Sequence, residues 1–228
     1  MSEKVRVKDI GRRDLPMLSE VRPEELIPLP PPYDKVEELP GFKEITDKTK
    51  ERVVCNLDGV IASALPHPES PEEEQKYVDQ FVEGLKKLLS KENNWTFLQP
   101  LTLSLEYCIG CQTCADACHV FEATGGKEIY RPTYRSEVWR RLVNKYVKPG
   151  GKLLAPLKGA DIELNWTTIT RLYELTYRCN LCRRCAQVCP VGVDNGLIAH
   201  ELRKLFSQEL GWAPTELHDK GTCLLYTS

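Results

Sequence analysis

The sequence predicts a mainly α-helical protein: a helical module built around two matching cysteine runs, preceded by an extended, proline-rich arm. Three observations predict it. Apolar residues recur at helical spacing on both sides of the runs, helix-start and helix-stop residues bracket those stretches, and residues 22–42, "RPEELIPLPPPYDKVEELPGF", carry too much proline for helix or sheet. The division is an arm at 1–68, a two-run helical domain at 69–222 and a short tail at 223–228. With 228 residues, 41% of them apolar and 28% charged, and a formal net charge of -2, the chain is long enough to bury a core. Its charge is too balanced for a nucleic-acid binder. No apolar run approaches the roughly 18 residues of a membrane span. The N-terminus "MSEKVRVKDIGRRDLP" lacks the apolar core of an export signal, so the expected compartment is the cytoplasm.

Taken in order, residues 1–68 read as an extension, with the prolines holding the chain extended over another surface or leaving it mobile. "VVCNLDGVIAS" (53–63) reads as a short hairpin turning at Asp58-Gly59, with Cys55 as an isolated, buried free thiol. A helix start follows: Ser70 as N-cap, Pro71 at the first position and Glu73 completing a capping box. Val78, Phe81, Val82, Leu85, Leu88 and Leu89 then share one face, which makes this a docking helix. "LTLSLEYC" (101–108) alternates apolar and polar residues and reads as an extended approach into the first run. "SEVWRRLVNKYVKPGG" (136–151) puts Val138, Trp139, Leu142, Val143 and Tyr146 on one helical face and stops at Pro149-Gly150-Gly151. "NWTTITRLYELTYRC" (165–179) repeats the device with Trp166, Ile169, Leu172 and Tyr173. Asp194 then caps a last helix carrying Leu197, Ile198, Leu202, Leu205 and Phe206, ended by Gly211. Aromatic and aliphatic side chains of this frame are expected to wall the cysteine runs from water.

The chemistry lies in the cysteines. Cys108, Cys111, Cys114 and Cys118 follow C-x2-C-x2-C-x3-C; Cys179, Cys182, Cys185 and Cys189 repeat it, with Pro190 directly after. In a reducing compartment, thiols clustered this way bind metal or do redox chemistry rather than form disulfides. Three cysteines at two-residue gaps on a tight turn aim three sulfurs at corners of one iron-sulfur cube. The fourth points elsewhere, and in two-cluster ferredoxins it ligates the other cube. The expectation is therefore two 4Fe-4S clusters with crossed ligands: Cys108, Cys111, Cys114 and Cys189 on the first, and Cys179, Cys182, Cys185 and Cys118 on the second. Zinc is the alternative, since it also binds four cysteines, but a zinc knuckle needs two where each run supplies three at even spacing.

Two adjacent one-electron centres read as a wire rather than a catalytic site. Arg183 and Arg184, between ligands of the second run, favour the more negative reduced cluster unless they face solvent. His119 stands where Pro190 stands in the second run, placed either to hydrogen-bond a cluster sulfide or to ligate iron. From residue 127 to 158, nine Lys/Arg stand against only Glu128 and Glu137, a candidate docking patch for an acidic protein or an anionic membrane face. The sequence holds no nucleophile-and-base arrangement, phosphate-binding glycine loop or dinucleotide fingerprint, so no catalytic residue is assigned.

The doubled run, the long helical spacer and "YRCNLCRRCAQVCPVGVDNGLIAHELRKLF" (177–206) together resemble the helical-ferredoxin modules of heterodisulfide-reductase-type subunits. The stretch "NNWTFLQPLTLSLEYCIGCQTCADACHVFEATGGKEIYRPTYRSEVWRRL" (93–142) is similar in particular to the K subunits of the transmembrane electron-transfer complexes linked to dissimilatory sulfite reductase. The resemblance covers residues 70 to 220. It implies an α-helical ferredoxin-type fold and a peripheral place on the inner face of the cytoplasmic membrane, beside a cytochrome b partner that exchanges electrons with quinone. It also implies electron passage through the two cubane clusters toward a further iron-sulfur centre that acts on a disulfide or trisulfide of a small sulfur-carrier protein. That centre belongs to cysteine-rich C-terminal repeats ending in Cys-Cys-Gly, which do not occur in this sequence. "CLLYTS" (223–228), with Cys223, resembles translated sequencing adapter, so the tail is expected to be non-native and the chain a fragment. Two other functions fit the runs: the iron-sulfur subunit of a flavin-linked dehydrogenase of glycolate or glycerol-3-phosphate type, and a zinc-binding scaffold.

Overall fold

The computed structural model describes residues 5–14, 35, 38, 40, 65–66 and 68–213. The hairpin expected at Asp58-Gly59, Cys55, most of the proline-rich arm and the 223–228 tail lie outside the described residues. The unit carrying both cysteine runs comprises Met1–Leu15 with Leu65–Ala213. Among its described residues there is no strand, as the helical periodicity requires.

Helix α1 (Pro71–Leu88) starts where its cap signals place it. Ser70 Oγ accepts the Glu73 N–H at 3.2 Å. The Glu73 carboxylate accepts from the Glu69 N–H at 2.9 Å, closing the box one residue upstream of the expected partner. Val78, Phe81, Leu85 and Leu88 are buried, each contributing roughly 1.5–3 kcal/mol by leaving water. Helix α2 (Leu98–Glu106) overturns the extended reading of "LTLSLEYC". The alternation of Leu101, Leu103 and Leu105 is incidental: Leu101 and Leu105, four apart, are buried, while Leu103 is largely exposed. Pro100 falls in the first turn, where a missing N–H costs nothing.

Two four-residue helices follow, one in each cysteine run: α3 (Thr113–Asp116) and, later, α8 (Arg184–Gln187). Helix α4 (His119–Ala123) leaves the first run directly. Helix α5 (Pro132–Leu142) begins earlier than its apolar stripe suggests, with Pro132 in the first turn, and runs into a single π turn at Val143–Val147. Val138, Trp139 and Leu142 are fully buried and Tyr146 is half-buried. Short α6 (Gly151–Leu154) returns against the π turn, where a Cβ on Gly151 would meet the Asn144 carbonyl at 2.2 Å. Only glycine fits there.

Helix α7 (Trp166–Tyr177), capped by Asn165 Oδ1 accepting the Thr168 N–H at 2.9 Å, is the central element. Every residue from Thr168 to Thr176 is buried, so it lacks the polar face that the expected stripe implied. Helix α9 (Asn195–Glu209) is capped by Asp194, whose Oδ1 accepts from Gly196 and Leu197 at 2.9 and 3.0 Å. Past its end, Gly211 is left-handed (φ 71°) and Trp212 N–H closes on the Phe206 carbonyl at 2.8 Å. Helices α2 and α5 pack together, as do α7 and α9, and α9 also contacts α2 and α5. The result is a four-helix frame in which each half repeats one plan: a helix leading into a cysteine run, then a later helix packing back on it.

Residues 5–14, read from sequence as part of the extension, are instead docked on α7. Ile10 is fully buried, and the Arg171 guanidinium donates to the carbonyls of Ile10 and Arg12 at 2.6 and 2.9 Å. Asn165 Nδ2 donates to the Gly11 carbonyl at 2.9 Å. The aromatic wall also lies elsewhere than expected. Tyr77, Trp166, Tyr173, Phe206 and Trp212 stack on one another between α1, α7 and α9, with ring centroids 5.2 to 6.2 Å apart. They build the core of the frame rather than the surroundings of the cysteines.

Candidate iron-sulfur centre

Both runs take the same local course. The residues two and four places after the leading cysteine are left-handed: Gly110 and Gln112 (both φ 69°) in the first run, Leu181 (φ 56°) and Arg183 (φ 57°) in the second. Left-handed backbone costs a non-glycine residue roughly 1–2 kcal/mol. Three of these four positions accept that strain, and such alternation is how successive backbone amides are turned toward an anionic centre. Leu181 N–H donates to Cys179 Sγ at 3.4 Å and Val193 N–H to Cys189 Sγ at 3.2 Å. Exposure also repeats: in each run the first and fourth cysteines are half-buried, the second is exposed and the third is buried.

The chain then crosses over. Cys108, Cys111, Cys114 and Cys189 line one cavity, together with Ile109, Thr133, Val191, Val193 and Asn195. Cys179, Cys182, Cys185 and Cys118 line a second, together with His119, Tyr130, Arg135, Arg178 and Arg183. Each cavity therefore gathers three cysteines of one run and the last cysteine of the other. Helices α3 and α8 pack against each other, setting the cavities side by side. Burial pushes the Cys114 thiol up to about 11, and the nearby thiols of Cys185, Cys108 and Cys111 add to the shift. Cys185 is raised by burial as well, against the opposing pull of the Arg135 guanidinium. Exposed Cys111 goes the other way, lowered by its contact with the Thr113 hydroxyl (Sγ···Oγ1 3.5 Å).

Arginines fix both approaches. Arg203 of α9 donates to the carbonyls of Thr176, Tyr177 and Cys179, where α7 runs into the second cysteine run. Arg140 of α5 donates to the Leu105 carbonyl, where α2 runs into the first. Each is the ninth residue of its helix, the one recurrence in the sequence that would have revealed them. Between the cavities Asn195 accepts from Ser136 Oγ through its side chain and from Arg135 Nη2 through its carbonyl, the latter at 3.4 Å.

The residues suit a multi-iron cluster better than one metal ion. Among the described residues, no three His, Cys, Asp or Glu side chains converge on one point, as a zinc ion with sulfurs about 2.3 Å away requires. Each cavity is lined by four thiols, the number of ligands that a 4Fe-4S cube takes. His119 sits on the wall of the second cavity, its Nε2 hydrogen-bonded to the Asn180 amide at 2.6 Å. Arg183 pairs with Asp194 at 2.5 Å, and Arg184 is exposed. The basic stretch from 127 to 158 is engaged in part, while Lys127, Lys148, Lys152 and Lys158 stay exposed. Arg131 bonds Gln112, Arg141 pairs with Glu137 at 3.0 Å, Lys145 donates to the Ile162 carbonyl at 2.7 Å, Lys148 pairs with Glu106 at 3.2 Å and Arg135 is buried.

The matched halves define a class: residues 104–193 match the 4Fe-4S dicluster domain. Relatives narrow this. An iron-sulfur subunit 2 of an Hdr-like menaquinol oxidoreductase from Archaeoglobus fulgidus is 34% identical over 134 residues, 59% of this chain and 23% of that protein. One subunit of the dihydromethanophenazine:CoB–CoM heterodisulfide reductase of Methanosarcina barkeri is 28% identical over 101 residues, 44% of this chain and 24% of that protein. Lactate utilization protein B of Lysinibacillus sphaericus is 31% identical over 107 residues, 47% of this chain and 18% of that protein. The chain is thus similar to heterodisulfide-reductase-like iron-sulfur subunits, and it spans about a quarter of the length of those it matches. No solved structure gives a significant match.

Proposed function

We propose that this chain carries single electrons through two 4Fe-4S clusters, one held by Cys108, Cys111, Cys114 and Cys189, the other by Cys179, Cys182, Cys185 and Cys118. The reading rests on one observation: the eight cysteines divide three-plus-one and one-plus-three between two adjacent cavities. A cube in each cavity would supply a reversible one-electron centre, and close neighbours exchange electrons without moving a proton or making a bond. As the N-terminal part of a heterodisulfide-reductase-like subunit, the chain would pass electrons between a membrane cytochrome b partner coupled to quinone and a centre that reduces a disulfide or trisulfide. That centre's substrate would be a small sulfur-carrier protein, as in the sulfite-reductase-linked K subunits. The place of work would be peripheral, on the inner face of the cytoplasmic membrane. No described helix is long and apolar enough to cross a membrane.

Anaerobic reconstitution tests the centre directly: about eight irons and as many sulfides per chain, with a visible absorbance that bleaches under dithionite, are expected. A colourless protein holding zinc would overturn it. The similarity to a lactate utilization protein supports a second reading, the iron-sulfur subunit of a flavin-linked dehydrogenase. Co-purification decides between them, a haem b membrane protein favouring the first and a flavoprotein the second.

A further inference from the structure

Of the three arginines lining the second cavity, two are neutralised. Arg183 pairs with Asp194 at 2.5 Å and Arg178 with Glu174 at 3.5 Å. Arg135 is different. It is 7% exposed, its Nη2 reaches only the Asn195 carbonyl at 3.4 Å, and its Nε has no hydrogen-bond partner. Among the described residues no carboxylate pairs with it. Removing one charge from water costs several kcal/mol unless a counter-charge lies nearby, and one long bond to a neutral carbonyl does not offset that. The guanidinium lines the cavity of Cys118, Cys179, Cys182 and Cys185 and acts electrostatically on Cys185. The other cavity is lined by no charged residue, only its cysteines and neutral side chains. The repeat sharpens the contrast: Arg135 is the fourth residue of α5, and the fourth residue of α9 is fully buried Ile198.

We propose that Arg135 is the counter-charge for the cluster of the second cavity, and that it makes this cluster the better electron acceptor of the two. The proposal rests on the two-cluster reading above. Four thiolates around a cube leave a net negative charge that grows by one on reduction, so a fixed buried cation stabilises the reduced form more than the oxidised form. An electron shared between the cavities then resides beside Arg135. One centre is oxidised by one electron as its neighbour is reduced by one, and an external one-electron donor supplies it. The direction of flow is then set by the external donor and acceptor, with the arginine-lined centre as the site where a shared electron rests.

The test compares wild type, Arg135→Met and Arg135→Lys as full chains reconstituted anaerobically, with iron counted and each cluster's midpoint followed by paramagnetic resonance during a redox titration. The signal retained in Cys118→Ser assigns the neutral cavity. With iron unchanged, Arg135→Met is expected to lower the occupancy of the second cavity relative to the first about tenfold, equivalent to about 59 mV for one electron. Arg135→Lys keeps most of the wild-type preference. Unchanged midpoints in a fully loaded Arg135→Met protein would overturn the proposal. The metal-free proteins give a second readout. Loss of an unpaired buried charge leaves the Met variant at least as stable to urea as wild type, whereas a purely structural arginine predicts a clear loss, which would count against the proposal. Failure of the wild type to take up iron would instead sink the two-cluster reading itself.

Discussion

The two cysteine runs share spacing, backbone course and exposure, yet the cavities they build differ. One has neutral walls; the other has three arginines and a histidine. The backbone is duplicated, whereas the arginines and the histidine come from α5 (Arg135), the end of α7 (Arg178), the second run (Arg183) and α4 (His119) and line one cavity alone. The cysteine pattern is symmetric and the electrostatics are not.

The largest effect that would break this comparison is on the crossing. Cys118→Ser is expected to reduce iron from about eight to about four per chain and to remove the cluster beside the arginines, although its sequence neighbours belong to the other run. Cys189→Ser should remove the opposite cluster. Loss of the signal at each variant's own run would show that the fourth ligands do not cross. Next come the two helix-end clamps. Arg203→Met and Arg140→Met each strip a charged donor from a half-buried carbonyl and should cost about 1.5–3 kcal/mol in urea unfolding. Arg203→Met should loosen the second cluster first, Arg140→Met the first; equal lability of both clusters in either variant would show that the halves do not respond separately.

Much of this was legible in the sequence because it is local. Ser70 and Asp194 announce their helices through side chains that bond amides two or three residues away, and Pro71 through a ring that suits the first helical position. The C-x2-C-x2-C-x3-C spacing likewise carries its geometry with it. What was misread depends on distant neighbours. Leu101, Leu103 and Leu105 fit period two as well as a helix, and burial against α5 and α9 decides for the helix. Arg135 looked like one charge of a surface patch, since nothing in its immediate sequence shows that α5 turns it inward. Ile10 and Gly11 looked like part of a loose arm because their partners, Arg171 and Asn165, lie 161 and 154 residues on.

Smaller changes sharpen the comparison further. Gly110 stands where the second run has Leu181, and no atom lies within 4 Å of a Cβ built there. Gly110→Leu should therefore cost only the conformational term, roughly 1–2 kcal/mol, and leave iron content intact. A greater loss would mean that the first cavity needs glycine for contact rather than for backbone freedom. The slightest effect concerns assembly. Burial holds the metal-free Cys114 thiol protonated up to about 11, and only the thiolate binds iron, so raising the pH should speed uptake and each loading event should release protons. Stopped-flow absorbance between about pH 7 and 9 would register the rise; a rate that falls or stays flat would place the slow step elsewhere.

The proposed exchange of last ligands between the halves also sets when each site can be filled. Sixty residues separate Cys118 from Cys179, so while a ribosome is still translating that stretch, the nascent chain offers three sulfurs of one corner set and a fourth waiting for companions not yet made. The second set of four is complete only when Cys185 has been made, and the first only when Cys189 has. In the proposed arrangement, neither cube can therefore be filled before the second run has been made as far as Cys185.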